Sequence, residues 1–146
     1  MKIAILCVGN RLRGDDYLGI LFGKYVAKKY ENYKVFFGYD TPEDLFFDIQ
    51  KYSPNILIIV DAALADIEIG ANFVDDLADF TPTSTHAIPL NILAKYLKDF
   101  CENIIYLAIF VKAKNIMGIN RKISKDGKKS LQLAINEFEK FHKIAF

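Results

Sequence analysis

Two aspartates stand side by side, Asp15 and Asp16, directly after a loop that begins and ends in glycine: Gly9-Asn10-Arg11-Leu12-Arg13-Gly14. A third, Asp61, closes an apolar run, and His86, one of only two histidines, sits in a loop further on. Two carboxylates and one imidazole make a three-ligand set with an open position, suited to a borderline divalent metal such as nickel, zinc or iron. A carboxylate can also act as general base toward water, so Asp16 and Asp61 are candidates for catalysis as well as metal binding. Asp40 is a weaker fourth candidate. Gly9 and Gly14 have the spacing of the glycines in a phosphate-binding loop, but acids stand where its Lys and Ser/Thr belong. There is no G-x-G-x-x-G fingerprint either, so nucleotide phosphate is disfavoured. One acid at this place can cap the following helix and complement its dipole. A second, adjacent one needs another reason.

The surrounding pattern says how these residues are positioned. Lys2 to Val8 is a nearly unbroken apolar run, as expected of a strand buried on both faces of a parallel sheet. From Tyr17 onward Leu18, Leu21, Phe22, Tyr25 and Val26 recur at helical spacing. Lys34 to Phe37 reads as a short strand ending at Gly38. Thr41-Pro42-Glu43-Asp44 reads as a helix start, with a Thr cap, Pro at the first position and acids in the first turn. Ile56 to Val60 is another apolar strand, stopped by Asp61. Ala71 to Val74 reads as a short edge strand, the Asp75-to-Asp79 segment as exposed, and Phe80 to Ile88 as a loop. Pro89 opens a helix, Ile104 to Val111 forms the last core strand, and Lys112 to Lys122 is a polar connection. Ser124 caps a final amphipathic helix. Alternating strands and helices predict one α/β domain over residues 1–146, a three-layer, doubly wound, mainly parallel sheet with helices on both faces. Right-handed crossovers put the loops that follow parallel strands at one edge. Ligands bind at that edge, where strand order reverses. Asp16, Asp61 and His86 are expected to share a cleft there.

Composition narrows the partners. The 146 residues carry 52% hydrophobic and 25% charged side chains and a net charge of +1. That describes an ordinary globule and gives no electrostatic case for nucleic acid or an anionic membrane. Cys7 and Cys101 form neither a zinc nor a disulfide framework. An apolar strand beginning within two residues of Met1 leaves no room for a signal peptide, and no apolar run is long enough to span a bilayer. A cytoplasmic monomer is the expectation. His142 lies where a cation complements a helix dipole and is assigned nothing.

Several segments together resemble the hydrogenase maturation endopeptidases. They are Cys7-Val8-Gly9-Asn10 with Gly14-Asp15-Asp16, Pro42-Glu43, Ile59-Val60-Asp61-Ala62, and Thr85-His86 followed by Pro89-Leu90-Asn91. They fall in order over nearly the whole chain, and the G-N-x-L-x-G-D-D segment is the most specific. The resemblance implies removal of the C-terminal extension from a nickel–iron hydrogenase large-subunit precursor after nickel insertion. It also implies that Asp16, Asp61 and His86 are the metal-binding positions, the nickel being carried by the precursor. Tyr17 stands where the family usually has glycine, and Phe37, Tyr39-Asp40 and Phe110-Val111-Lys112 also depart from its pattern near the expected substrate surface.

Two other classes compete. A receiver-type phosphoacceptor domain would use Asp15, Asp16, Asp61 and Lys112 much as they stand here. Its acid pair, however, sits at the strand end and not after a glycine loop, and it gives His86 no role. The other is a nickel-checking binding protein that keeps the ligands without cleavage.

Overall fold

The computed structural model describes residues 1–65, 67–75, 81–82 and 89–146. In order these form β1 (Ile3–Val8), α1 (Leu18–Lys29), β2 (Tyr33–Tyr39), α2 (Phe46–Tyr52), β3 (Ile56–Leu64), β4 (Gly70–Val74), β5 (Thr81–Pro82), α3 (Leu90–Leu97), β6 (Asn103–Phe110) and α4 (Lys125–Ala145). Short 3-10 turns at Gly14–Tyr17, Pro42–Leu45 and Ala113–Ile116 follow β1, β2 and β6.

The sheet order is β2-β1-β3-β6-β4, with β5 paired to β3. β1 lies parallel to β2 and β3, and β3 parallel to β6, while β4 and β5 are antiparallel additions. The chain leaves β1 outward to β2 and returns to β3 on β1's other flank, so strand order reverses between β1 and β3.

Strand alternation sorts the core into two layers. Ile3, Ile5, Cys7, Ile58 and Val60 face α1 and α4, meeting Phe22 and Phe138. These two rings pack edge-to-face at 5.4 Å. Ala4, Leu6, Leu57 and Ile59 face α2 and α3, meeting Ile49, Leu93 and Leu97. Each fully buried side chain of this size contributes about 1.5–3 kcal/mol, which is why the most apolar strands, β1, β3 and β6, take the middle of the sheet. The result is the three-layer, doubly wound fold that the pattern predicts.

Four local expectations need correction. β3 does not stop at Asp61; it continues to Leu64, with Asp61, Ala62 and Ala63 in register with Ala108, Ile109 and Phe110. The long apolar β6 supplies a partner for every one of those residues, and the two alanines are small enough to bury fully. Gly38 does not end β2. The register shift pairs Cys7 with Phe37 and Val8 with Tyr39, making Gly38 the extra residue of a bulge. Thr41 makes no side-chain cap, although Pro42 does hold the first helical position. Within the segment read as a loop, Thr81–Pro82 pairs with β3. Its other positions, His86 among them, and residues 76–79 of the acid-rich segment lie outside the described residues. No helix among the described residues is long and apolar enough to cross a membrane.

Candidate active site

The Gly14–Tyr17 turn closes the C-terminal end of β1 and packs against β3. Gly14 has φ +53, and a Cβ there would overlap the Asn115 carbonyl oxygen. Glycine alone suits both demands. The turn buries Asp15 and Asp16 completely, yet neither caps α1, whose first turn has no side-chain cap and no acid. Asp16 Oδ2 accepts a hydrogen bond from the Asn10 amide at 3.0 Å. Its carboxylate is thereby held over the loop it follows, at the junction of β1 and β3.

Asp15 has a structural task that its neighbour does not share. Its Oδ1 accepts from the Ser124 amide (2.9 Å) and its Oδ2 from the Ser124 hydroxyl (2.5 Å). The same hydroxyl oxygen accepts from the Gly127 amide (2.9 Å), capping α4. Gly127 leaves room for the carboxylate, since a Cβ would stand 2.6 Å from it. Asp15 therefore fixes the N-terminus of the last helix and places a negative charge at its positive pole. The Asp15→Ala protein is expected to lose about 3 kcal/mol, the scale of breaking charge-assisted hydrogen bonds in a buried setting. Ser124→Ala is expected to lose about half as much, nearer an ordinary cap. Urea unfolding checks both; an Asp15→Ala loss below that of Ser124→Ala would contradict this assignment.

Asp61 lies inside β3 and is almost fully buried. By strand parity it projects toward the α2 and α3 side with Leu57, Ile59 and Ala63. α1 begins over the same junction: a Cβ on Gly19 would overlap the Val8 carbonyl oxygen and stand 2.9 Å from that of Val60. Asp16 and Asp61 thus flank the point where strand order reverses, as the topology rule predicts. The third expected member, His86, lies outside the described residues. Among the described residues no three His, Cys, Asp or Glu side chains gather into a metal-sized group. Asp40 is exposed beyond β2, at the same edge.

Other groups define what this edge does not use. Burial pushes the Cys7 thiol well above its ordinary range, so it offers no thiolate nucleophile. Lys112 bonds to Asp126 at 2.8 Å, and that hydrogen bond holds Asp126 below the usual carboxylate range. Asp15 and Lys112, both required by the receiver reading, are therefore occupied at the first turn of α4. Glu43, at the start of the turn after β2, keeps one carboxylate oxygen buried without a hydrogen-bond partner. The sequence singled out Pro42-Glu43 only as part of the resemblance and as a helix start, with no site role for Glu43.

The geometry has relatives. The chain is 32% identical to a protein of Methanocaldococcus jannaschii named as a hydrogenase maturation protease, over 94% of this chain and 89% of that one. Its fold matches the solution structure of the endopeptidase HycI from Escherichia coli, with TM-score 0.82 and 29% identity over 97% of this chain and 92% of the other. It also matches the crystal structure of the nickel–iron hydrogenase maturation protease HycI from Thermococcus kodakarensis. There the TM-score is 0.76 and identity 26%, over 94% of this chain and 90% of the other. No family model matches the chain. Identity of this extent to a named relative, carried on the same fold, settles the family: the chain belongs to the hydrogenase maturation proteases.

Proposed function

We propose that this protein is the endopeptidase that removes the C-terminal extension of a nickel–iron hydrogenase large-subunit precursor, after nickel has been inserted. Asp16, Asp61 and His86 engage the metal that the precursor carries. The observation that supports this most is the pair of buried aspartates at the β1/β3 junction of a hydrogenase maturation protease. Carboxylates are the oxygen ligands that a borderline divalent metal accepts beside an imidazole. The metal comes from outside the chain, with the precursor.

Three protein ligands leave coordination positions for the groups that already hold the nickel in the precursor. Binding is then strongest to the loaded form, and this difference in affinity is what lets the protein act as a checkpoint. Once the precursor is seated, Asp16 or Asp61 accepts a proton from the attacking water as general base. The reaction would take place in the cytoplasm with the protein as a monomer.

Incubating the protein with nickel-loaded and nickel-free precursor, followed by intact mass measurement, tests the proposal. The expected result is loss of the tail from the loaded form at least about tenfold faster, the span of an ordinary coupling free energy. Equal cleavage of both forms would reject nickel as the recognition element. No cleavage of either would reject the proteolytic reading.

A further inference from the structure

The loops after β1 and β6 are joined into one ledge beside Asp16. The Gly14 amide donates to the Asn120 carbonyl (2.6 Å), and the Asn120 amide donates to the Leu12 carbonyl (2.8 Å). Arg13 and Asn120 form an isolated parallel bridge. Within each loop an Asn side chain accepts from the backbone two residues on: Asn10 from the Leu12 amide and Asn120 from the Lys122 amide, both at 2.9 Å. The Gly14–Tyr17 turn packs against the Ala113–Ile116 turn. Ledge and Asp16 therefore share one backbone frame.

The ledge is one-sided in charge although the chain as a whole is nearly balanced. Its segments, residues 9–14 and 112–124, carry Arg11, Arg13, Lys112, Lys114, Arg121 and Lys122 and no acid. Lys112 is neutralised by Asp126, but Arg11, Lys114, Arg121 and Lys122 are exposed. Between them stand Leu12, Met117 and Ile119, with 39%, 71% and 87% of their surface open to solvent. A single exposed apolar residue is ordinary. Three on two joined loops, among charges of one sign, make a surface suited to a complementary partner.

The geometry points to this ledge as the docking surface for an acidic, apolar-containing segment of the precursor that flanks the bond to be cut. The inference rests on the proteolytic reading above and adds where the substrate lies and what chemistry it presents. Exposed cations steer an acidic segment toward the ledge, an effect that salt screens. Met117 and Ile119 hold it by burying apolar area, which salt leaves largely alone. Because the ledge is rigidly joined to the turn bearing Asp16, a segment seated on it is placed in register with the site.

The test uses the full-length protein, the nickel-loaded precursor and two double variants on exposed side chains, Arg121→Glu with Lys122→Glu, and Met117→Ser with Ile119→Ser. Binding is measured by biolayer interferometry at low and at physiological salt, and cleavage by intact mass. The charge reversal is expected to raise KM and Kd about tenfold at low salt, to flatten their salt dependence and to leave kcat within about twofold. The serine pair is expected to raise Kd about tenfold at either salt, as loss of central apolar contacts does. Thermal unfolding matching that of the wild type shows that neither variant fails to fold. Wild-type Kd and KM in both variants would overturn the proposal. A wild type that binds without cleaving defeats the proteolytic reading, yet the variants' Kd values still decide the ledge. A wild type that neither binds nor cleaves defeats both, and tighter binding of a single-stranded oligonucleotide than of precursor would reassign the ledge.

Discussion

The Asp16→Asn protein is expected to fold as the wild type does and to remove the precursor's tail at least about 100-fold more slowly, since loss of even an outer partner of a metal ligand costs 10–100-fold. The contrast between fold and activity comes from the hydrogen bond that Asp16 Oδ2 accepts from the Asn10 amide at 3.0 Å. An asparagine carbonyl oxygen can accept the same bond, so the turn keeps its shape. What disappears is the negative charge and half of its ligating capacity. Far-UV circular dichroism, thermal unfolding and intact-mass time courses with nickel-loaded precursor measure the two sides separately. Wild-type cleavage by this variant would remove Asp16 from the proposed site.

A stability effect whose sign helix propensity alone gets wrong is expected from Gly19→Ala. Alanine is the better helix former by about 1 kcal/mol, and helix propensity alone therefore makes the substitution stabilising. The structure reverses the sign. The added methyl group would overlap the Val8 carbonyl oxygen and lie 2.9 Å from that of Val60. Val8 ends β1 and Val60 lies within β3, two central strands that cannot give way. Relieving the overlap moves α1 off the β1/β3 junction, at a cost of about 3 kcal/mol or more for overpacking of this kind. The balance is a loss of roughly 2 kcal/mol, or about 4–8 °C in Tm for a chain of this size. A calorimetric scan decides it: an unchanged or higher Tm would show that helix and strands have slack between them.

The same contest between local and distant rules explains what the sequence made legible. The four parallel strands were readable because runs such as Ile3–Val8 and Ile104–Phe110 are too short to span a bilayer as helices and bury instead within the sheet. The place of Asp16 and Asp61 followed from topology, since loops after parallel strands gather at one edge. The true length of β3 was hidden, because a carboxylate after Ile56–Val60 looks like a terminator when its parallel neighbour β6 is not yet known. Gly38 looked like a stop for a similar reason, being a bulge that only pairing with β1 reveals. Asp15 was the deepest concealment. Beside Asp16 it looks like half of a pair, yet its partner is Ser124, distant in sequence and local only in the fold.

That long-range link also sets a timetable. Closing so long a loop is paid for late in folding, when most other contacts already exist. A chain still emerging from the ribosome has β1, the glycine loop and both aspartates from the start, but no Ser124 to receive Asp15. Two adjacent carboxylates, bound for a buried turn, then have no anchor. The nascent protease is therefore kept from assembling its own site until synthesis has passed Ser124.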